Sequence, residues 1–166
     1  MGWKRGFHYV KHRLIRLSDS THNIALGLAI GMGVSFTPIL GTHFIQAGII
    51  ALALRGNVFS AMIGTFVGNP WTFPFFWWGG FSLGAFMFEL FGITGAGVLP
   101  DDLTFPIVWE MIKTEPMTLF LPWMMGGYFL AFATIPFSYP VYFCVVKAAK
   151  VARMKAASVR KKNTPE

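Results

Sequence analysis

Three long stretches of this chain contain no charged residue. They extend from Ser20 to Leu54, from Gly56 to Phe88 and from Pro116 to Val146. Each stretch is longer than the roughly 20 apolar residues that a membrane-spanning helix needs. A soluble fold would have to bury three helices of about 30 residues, although the mean helix of globular proteins has about 11. The pattern therefore predicts an all-α integral membrane protein built as a helical bundle.

Proline and glycine interrupt the first stretch. As a single helix, residues 20–54 would be about 50 Å long, well beyond a hydrocarbon core of roughly 30 Å. Pro38 cannot continue the helical hydrogen-bond ladder and Gly41 relaxes the backbone, so we expect a break between arms 21–36 and 39–54. Each arm is about 24 Å long, which is short for a crossing. We interpret the segment as a broken, re-entrant hairpin, with a pair of short crossings as the alternative.

The second stretch carries a stronger interruption. Residues 58–68 predict a helix of about 16 Å, which is too short to span a membrane. The sequence GNPWTFP follows, with one glycine and two prolines. An aromatic-rich helix resumes over residues 74–91, so we read segment 57–92 as one broken helix.

The rest of the transmembrane domain, which we assign to residues 19–146, consists of an acidic connection and a last helix. We expect residues 93–115 to form an external loop, with a short amphipathic piece over 107–113. The last helix covers residues 116–146 and should bend at Pro136 or Pro140.

The charges lie at the ends of the chain. The formal net charge is +7, and the basic residues crowd into residues 1–18 and into a tail at 147–166. By the positive-inside rule, both termini are expected in the cytoplasm. Apolar positions in residues 1–18 recur at spacings of four and three, which predicts an amphipathic helix in the headgroup layer or a helix packed on the protein. We expect anionic lipid headgroups as partners at the basic ends, and no nucleic acid.

The two interruptions carry the residues on which a binding site could form. Peptide groups freed at a break find no partner in hydrocarbon, so such breaks persist only inside protein or beside water. In transporters, broken helices of this kind form ion and substrate sites. We therefore predict a ligand site from the polar and helix-breaking residues of both interruptions and the arginine between them: Thr37, Pro38, Gly41, His43, Arg55, Asn69, Pro70 and Thr72.

For some of these residues, a purely structural role is the alternative to ligand binding. His43 is the one titratable side chain in either interruption, and an imidazole suits a proton-coupled step or a phosphate contact. It could equally serve only to satisfy a carbonyl freed by the kink. Asn69 fits a cap for the backbone beside Pro70, with ligand contact as a second use. Arg55 could form a cytoplasmic turn or hold a lipid phosphate.

Small residues recur four apart along the predicted helices. Such faces let helices approach closely in lipid, so they indicate helix packing inside the bundle or between subunits. The pairs are Gly27 with Gly31, Gly64 with Gly68, and Gly80 with Gly84.

No catalytic constellation is present in the sequence. There are no paired carboxylates in the apolar stretches, no Cys/His cluster with metal-ligand spacing, no Gly-rich phosphate loop and no nucleophile elbow. We expect no enzymatic activity, no metal and no cofactor. The single cysteine, Cys144, lies in an apolar stretch and fits a small packing residue.

The motifs at the interruptions resemble a bacterial membrane family catalogued as domain of unknown function 2062. The resemblance covers residues 10 to 150 and implies a small multi-pass protein of the bacterial inner membrane. Some relatives are joined to glycosyltransferase domains, and the family brings no established activity. The matching residues are Ala25, Gly27, Gly31, Phe36, Pro38, Gly41, His43, Arg55-Gly56-Asn57, Gly64-Thr65, Asn69-Pro70, Thr72 and Pro74.

Two function hypotheses follow. The first is a transporter or flippase-like protein, forming a homo-oligomer, whose two broken segments meet in a polar site for an anionic lipid or other amphiphile. The second is a non-catalytic membrane scaffold or accessory subunit in envelope polysaccharide or lipid assembly. A membrane enzyme acting on a lipid ranks third, because the sequence offers no acid/base pair.

Overall fold

The computed structural model describes residues 19–39, 41–93, 105–114 and 118–162. No strand occurs in these ranges, in agreement with the all-α prediction. The predicted amphipathic helix at 1–18, most of the predicted external loop and the end of the tail lie outside the described residues. The helices are α1 (Thr21–Val34), α2 (His43–Ala53), α3 (Val58–Gly64, continued by a 3-10 turn over Thr65–Val67), α4 (Phe73–Leu90), α5 (Phe105–Thr114) and α6 (Phe120–Lys162).

The two interruptions lie where the sequence predicts them. Helices α1 and α2 correspond to the two arms of the first stretch, and α3 with its 3-10 turn corresponds to the short arm of the second. With 14 and 11 residues, α1 and α2 are about 21 and 16 Å long, so neither matches a roughly 30 Å core. Helix α1 begins at a serine cap, because Ser20 Oγ accepts the Asn23 N–H at 3.0 Å.

Helices α1 and α2 form a hairpin whose outer ends meet. The Asn57 N–H donates to the Asn23 carbonyl at 2.9 Å, and the Asn57 side chain donates to the Asp19 carboxylate. The same asparagine caps α3, because its Oδ1 accepts the Ser60 N–H at 2.7 Å. The start of α1, the end of α2 and the start of α3 therefore lie together, and both interruptions lie at the other end of these helices.

Helices α1 and α3 pack with their backbones in contact. A Cβ atom on Gly31 would lie 2.7 Å from the Gly64 Cα and would overlap the Ala61 carbonyl oxygen. One on Gly27 would overlap the Asn57 carbonyl oxygen. The helix packing predicted for these glycines is confirmed, and it occurs within the chain.

A second glycine contact joins α4 to α6. A Cβ atom on Gly80 would lie 3.3 Å from the Gly127 Cα, and one on Gly84 would overlap the Pro122 carbonyl oxygen. In return, a Cβ atom on Gly126 would overlap the Gly80 carbonyl oxygen. Higher positions on α4 face lower positions on α6, so the two helices are antiparallel.

Helix α6 also packs along α1, in the part of the bundle that extends from the interruptions to the start of α1. A Cβ atom on Gly33 would lie 2.6 Å from the Ala131 carbonyl oxygen. Further along, His22 Nδ1 lies 2.7 Å from the Tyr139 hydroxyl. Helix α6 therefore packs against both α4 and α1.

Helix α6 is longer than the predicted last helix. It contains Pro136 and Pro140 and continues through the basic segment to Lys162. Among the described residues, the span Phe120–Ser158 is long and apolar enough to cross a membrane by length and composition, and only 6% of its apolar window is buried within the chain.

We predict that Gly84→Ala destabilises the protein, because its Cβ would overlap the Pro122 carbonyl. Overpacking of this kind costs about 1–3 kcal/mol. The matched control is Gly79→Ala on the same helix, where the new Cβ would meet Leu130 Cδ1 at an ordinary 3.8 Å. Thermal unfolding in detergent should show a lower melting temperature for Gly84→Ala alone. Equal melting temperatures would contradict the α4–α6 contact.

Candidate functional site at the helix breaks

The two interruptions meet at the Ser35 side chain. Its hydroxyl lies 3.1 Å from the Gly31 carbonyl and 3.2 Å from the Thr65 carbonyl, either of which can accept its proton. It also accepts the Gly68 N–H at 3.2 Å. Ser35 is 1% exposed, so water does not replace these partners. We call residues 35–39, 41–43 and 68–73 the break junction.

Aromatic rings from both interruptions pack together at the break junction. Phe36 stacks on Phe76 with ring centroids 4.3 Å apart, and His43 stacks on Phe73 at 5.7 Å. Phe73 also stacks on Trp77 at 5.1 Å. The polar atoms of the junction therefore lie against an apolar aromatic surface contributed by α4.

His43 satisfies the backbone of its own interruption. Its Nε2 lies 3.0 Å from the Thr37 carbonyl, and because a carbonyl oxygen only accepts, Nε2 carries the proton. The Thr37 hydroxyl donates to the Val34 carbonyl at 2.9 Å. The bond to the Thr37 carbonyl is the one predicted by the alternative in which His43 satisfies a carbonyl freed by the kink. A further partner of the imidazole would bind through Nδ1.

The second interruption is closed by its own side chains. Asn69 Oδ1 accepts the N–H groups of Trp71 and Thr72 at 2.9 and 3.1 Å. In return, Thr72 Oγ1 accepts the Asn69 N–H at 2.9 Å and donates to the Val67 carbonyl at 2.8 Å. The predicted capping role of Asn69 is confirmed. Pro74 lies in the first turn of α4, where a missing N–H is tolerated.

A polar chain that the sequence analysis missed borders the first interruption. The Tyr128 hydroxyl of α6 donates to Gln46 Oε1 at 3.0 Å, and Gln46 Nε2 donates to Thr42 Oγ1 at 2.5 Å. Thr42 Oγ1 then donates to the Ile39 carbonyl at 2.8 Å. One signal was available, because Gln46 is the only glutamine of the chain and lies in an apolar helix, where an amide needs partners.

Two indole N–H groups beside the break junction find no partner among the residues that the structure describes. The Nε1 atoms of Trp77 and Trp123 are enclosed and form no hydrogen bond within this part of the chain. The two rings meet edge to face with centroids 5.3 Å apart, so at most one N–H can point at the other ring. A buried donor without an acceptor is uncommon and costs about 1–3 kcal/mol.

The remaining predicted residues of the two interruptions differ in exposure. Pro38 is buried, and its Cδ would lie 3.2 Å from a Cβ atom placed on Gly127 of α6. Pro70 and Gly41 are exposed. Gly41 has a φ of +83°, a conformation that L side chains rarely adopt, so this glycine is needed for the turn.

Arg55 lies at the opposite end of α2 from the break junction and does not join it. Its φ is 57°, its N–H donates to the Leu52 carbonyl at 3.2 Å, and the Gly56 N–H donates to the Ala51 carbonyl at 2.7 Å. These two bonds form a Schellman motif that ends α2. The same position after α4 is occupied by Gly92, with a φ of +68°. A side chain there costs about 1–2 kcal/mol relative to ordinary backbone geometry.

The chemistry of the break junction suits binding. Within its residues, His43 is the only titratable side chain, and no acid/base pair is formed. The neighbouring indole groups can donate to oxygen acceptors, whereas the hydroxyl and imidazole protons of the junction are already donated to backbone carbonyls. The stacked rings offer an apolar surface beside them. An amphiphile with an oxygen-rich headgroup has both features.

We predict that Ser35→Ala destabilises the protein, because it removes the buried hydroxyl that contacts the Thr65 carbonyl and the Gly68 N–H across the two interruptions. The Gly68 N–H keeps the Thr65 carbonyl as an acceptor at 3.0 Å, so the expected cost is that of lost hydrogen bonds, about 0.5–1.5 kcal/mol each. Ser138→Ala is the matched control, since the Ser138 hydroxyl donates only to the Ile135 carbonyl of its own helix. Denaturation in detergent should show a smaller effect for Ser138→Ala. If the two variants unfold alike, Ser35 does not join the two interruptions.

Comparison with known proteins supports the motif resemblance. No curated protein and no solved structure gives a significant match to the chain. A bacterial family described as "uncharacterized protein conserved in bacteria" (DUF2062) matches over residues 4–157. The matched region contains both interruptions and most of α6. The chain therefore belongs to the DUF2062 family of bacterial proteins.

Proposed function

We propose that the protein is a multi-pass protein of the bacterial inner membrane with both termini in the cytoplasm. The support is the surface of α2, α4 and α6, which carries many exposed large apolar side chains. Soluble monomers rarely expose contiguous apolar patches larger than a few hundred Å². Lipid is the solvent that suits such a surface. Examples are Ile45, Leu52, Phe75, Trp78, Phe86, Phe132 and Phe137.

In this proposal α1 and α2 form a re-entrant hairpin. The support is that both helices are short and that their outer ends meet through Asn57, Asn23 and Asp19. A chain that enters lipid and returns to the same side needs a turn whose peptide groups are satisfied inside the protein. The bonds within the break junction meet that need.

Cysteine labelling tests the membrane placement. In a Cys144→Ser background, which removes the only cysteine, we expect Phe75→Cys and Phe137→Cys to resist an impermeant maleimide in inside-out vesicles and to react after denaturation in SDS. Both positions are more than 70% exposed on the chain itself, at 74% and 79%, so protection would come from lipid. Ala156→Cys, at an exposed position of the basic segment, is the control and should react at once. Labelling of all three in intact vesicles would exclude the placement.

We further propose that the break junction binds an anionic lipid or related amphiphile and gives its headgroup a polar path through the protein. The observation that carries this proposal is the meeting of the two interruptions at Ser35, with the unpartnered indoles of Trp77 and Trp123 beside them. An acceptor oxygen supplied by a ligand would recover the energy lost at these donors. Because the indole nitrogens are enclosed, binding would require the two rings to move apart.

Lipid movement with tryptophan variants tests this proposal. In liposomes that contain fluorescent phosphatidylglycerol, we expect Trp77→Phe/Trp123→Phe to lower the rate of transbilayer movement about tenfold, the value for two lost hydrogen bonds. Trp78→Phe is the matched control, because Trp78 is 73% exposed, and it should move lipid like the wild type. Phenylalanine removes an unsatisfied donor but also part of each packed indole, so the melting temperatures of the variants are measured beside the rates to separate lost packing from lost donors.

The outcomes of this experiment separate two claims. A wild-type rate equal to that of empty liposomes would exclude transport. A wild-type rate that persists in the double variant would exclude the indole groups as ligand donors.

A second candidate function is a non-catalytic scaffold or accessory subunit in envelope assembly. The observation that favours it is that Asn69, Thr72 and His43 all bond to the chain's own backbone. Substitutions at the glycine faces cannot separate the two functions, because these glycines pack helices within the chain. The tryptophan variants can, since a scaffold has no use for the indole N–H groups. A homo-oligomer, which we retain as a proposal, would form through surfaces other than these glycine faces.

A further inference from the structure

A cavity of about 500 Å³ lies between the first turn of α1 and the basic part of α6. Cationic and apolar side chains face the same space. We call it the basic cavity, and its lining includes Thr21 of α1 and Lys147, Lys150, Val151, Arg153 and Met154 of α6.

The basic cavity gathers positive charge at the positive end of a helix dipole. The N-terminus of α1 carries a partial positive charge, and α1 has no acidic residue in its first turn to offset it. Asp19 precedes the helix. Its carboxylate accepts a hydrogen bond from the Asn57 side chain, and its carbonyl accepts one from the Lys150 ammonium. Lys147 and Lys150 bring two cationic side chains to the lining, and Asp19 is the one carboxylate that the described residues place beside Lys150. The balance favours a bound anion.

The apolar side of the basic cavity favours a lipid over a free phosphate. Val151 and Met154 are 39% and 63% exposed, although they lie beyond the uncharged stretch that ends at Val146. Apolar side chains beside lysines are typical of helix faces that lie against the headgroup layer. A free phosphate would contact the cations and leave Val151 and Met154 in water.

We infer that the basic cavity binds an anionic phospholipid, with the phosphate against Lys147 and Lys150 and the acyl chain along Val151 and Met154. The inference uses the proposed membrane placement and does not depend on the break junction, because α1 separates the two sites by about 20 Å. Each lysine at an anionic membrane surface contributes about 1 kcal/mol, which corresponds to about fivefold in lipid retention.

Native mass spectrometry of the full-length protein tests the inference. The detergent-purified protein is incubated with equal amounts of phosphatidylglycerol and phosphatidylcholine of the same acyl chains. We expect preferential retention of phosphatidylglycerol by the wild type, and about a fivefold loss of that preference in Lys147→Gln. Lys155→Gln is the matched control, because it removes one charge from α6 at an exposed position outside this lining. Its preference should equal that of the wild type.

Further arms distinguish the outcomes. Lys147 has no role in capping α1, so Lys147→Gln should keep the melting temperature of the wild type. Met154→Ser should weaken retention of both lipids.

Displacement of the lipid by glycerol phosphate or inorganic phosphate would show a site for phosphate alone and overturn the lipid assignment. An equal loss in Lys147→Gln and Lys155→Gln, or no loss in either, would overturn the cavity as the site. Trp77→Phe/Trp123→Phe should lose only the lipid bound at the break junction, and adding Lys147→Gln to it should still lower the remaining preference for phosphatidylglycerol about fivefold, so failure at the break junction is a separate result.

Discussion

Peptide groups that leave a helix inside a packed bundle need hydrogen-bond partners, and the arrangement of this protein follows from how they obtain them. At the first interruption the Thr37 carbonyl is satisfied by an imidazole, and at the second the freed N–H groups are satisfied by Asn69. Ser35 serves both interruptions with one hydroxyl. The polar groups therefore gather at one place, where two helix ends meet.

This concentration of polar groups depends on close helix packing elsewhere. Ser35 reaches the second interruption only because α1 and α3 approach closely enough for Gly31 to lie against Gly64. On the other side, α4 reaches the junction while Gly80 and Gly84 rest on α6. Glycine gives up side-chain burial at these positions and allows the backbone contact instead. The packing sets the distance over which the hydrogen bonds form.

The positions of the interruptions could be predicted from the sequence because proline and glycine act locally. Pro38 cannot continue the hydrogen-bond ladder of α1 and is followed closely by Gly41, and the Asn69 cap depends on residues within three positions of itself. The pairing of the glycine faces was also predictable in kind, since only small residues permit such contacts. The partner helix of each glycine face could not be predicted, because it depends on the course of the whole chain.

Several features of the candidate site could not be predicted, since they arise only from tertiary contacts. A serine near a helix end usually bonds its own helix, and nothing local indicates that Ser35 also reaches Thr65. A tryptophan in an apolar stretch fits a lipid-facing residue, and only packing encloses the N–H groups of Trp77 and Trp123. Arg55 lies between the interruptions in sequence, yet the length of α2 keeps it away from them.

The helical course of the basic segment gives α6 a mechanical role. The helix continues to Lys162 because its last turns are rich in alanine, lysine and arginine, which favour helix over coil. One helix therefore touches α4 near Gly126 and the start of α1 near Lys150, with Pro136 and Pro140 between the two contacts. Because an internal proline removes a hydrogen bond of the helical ladder, these two residues are where α6 can bend, so the contact with α1 can shift without an equal shift of the contact with α4.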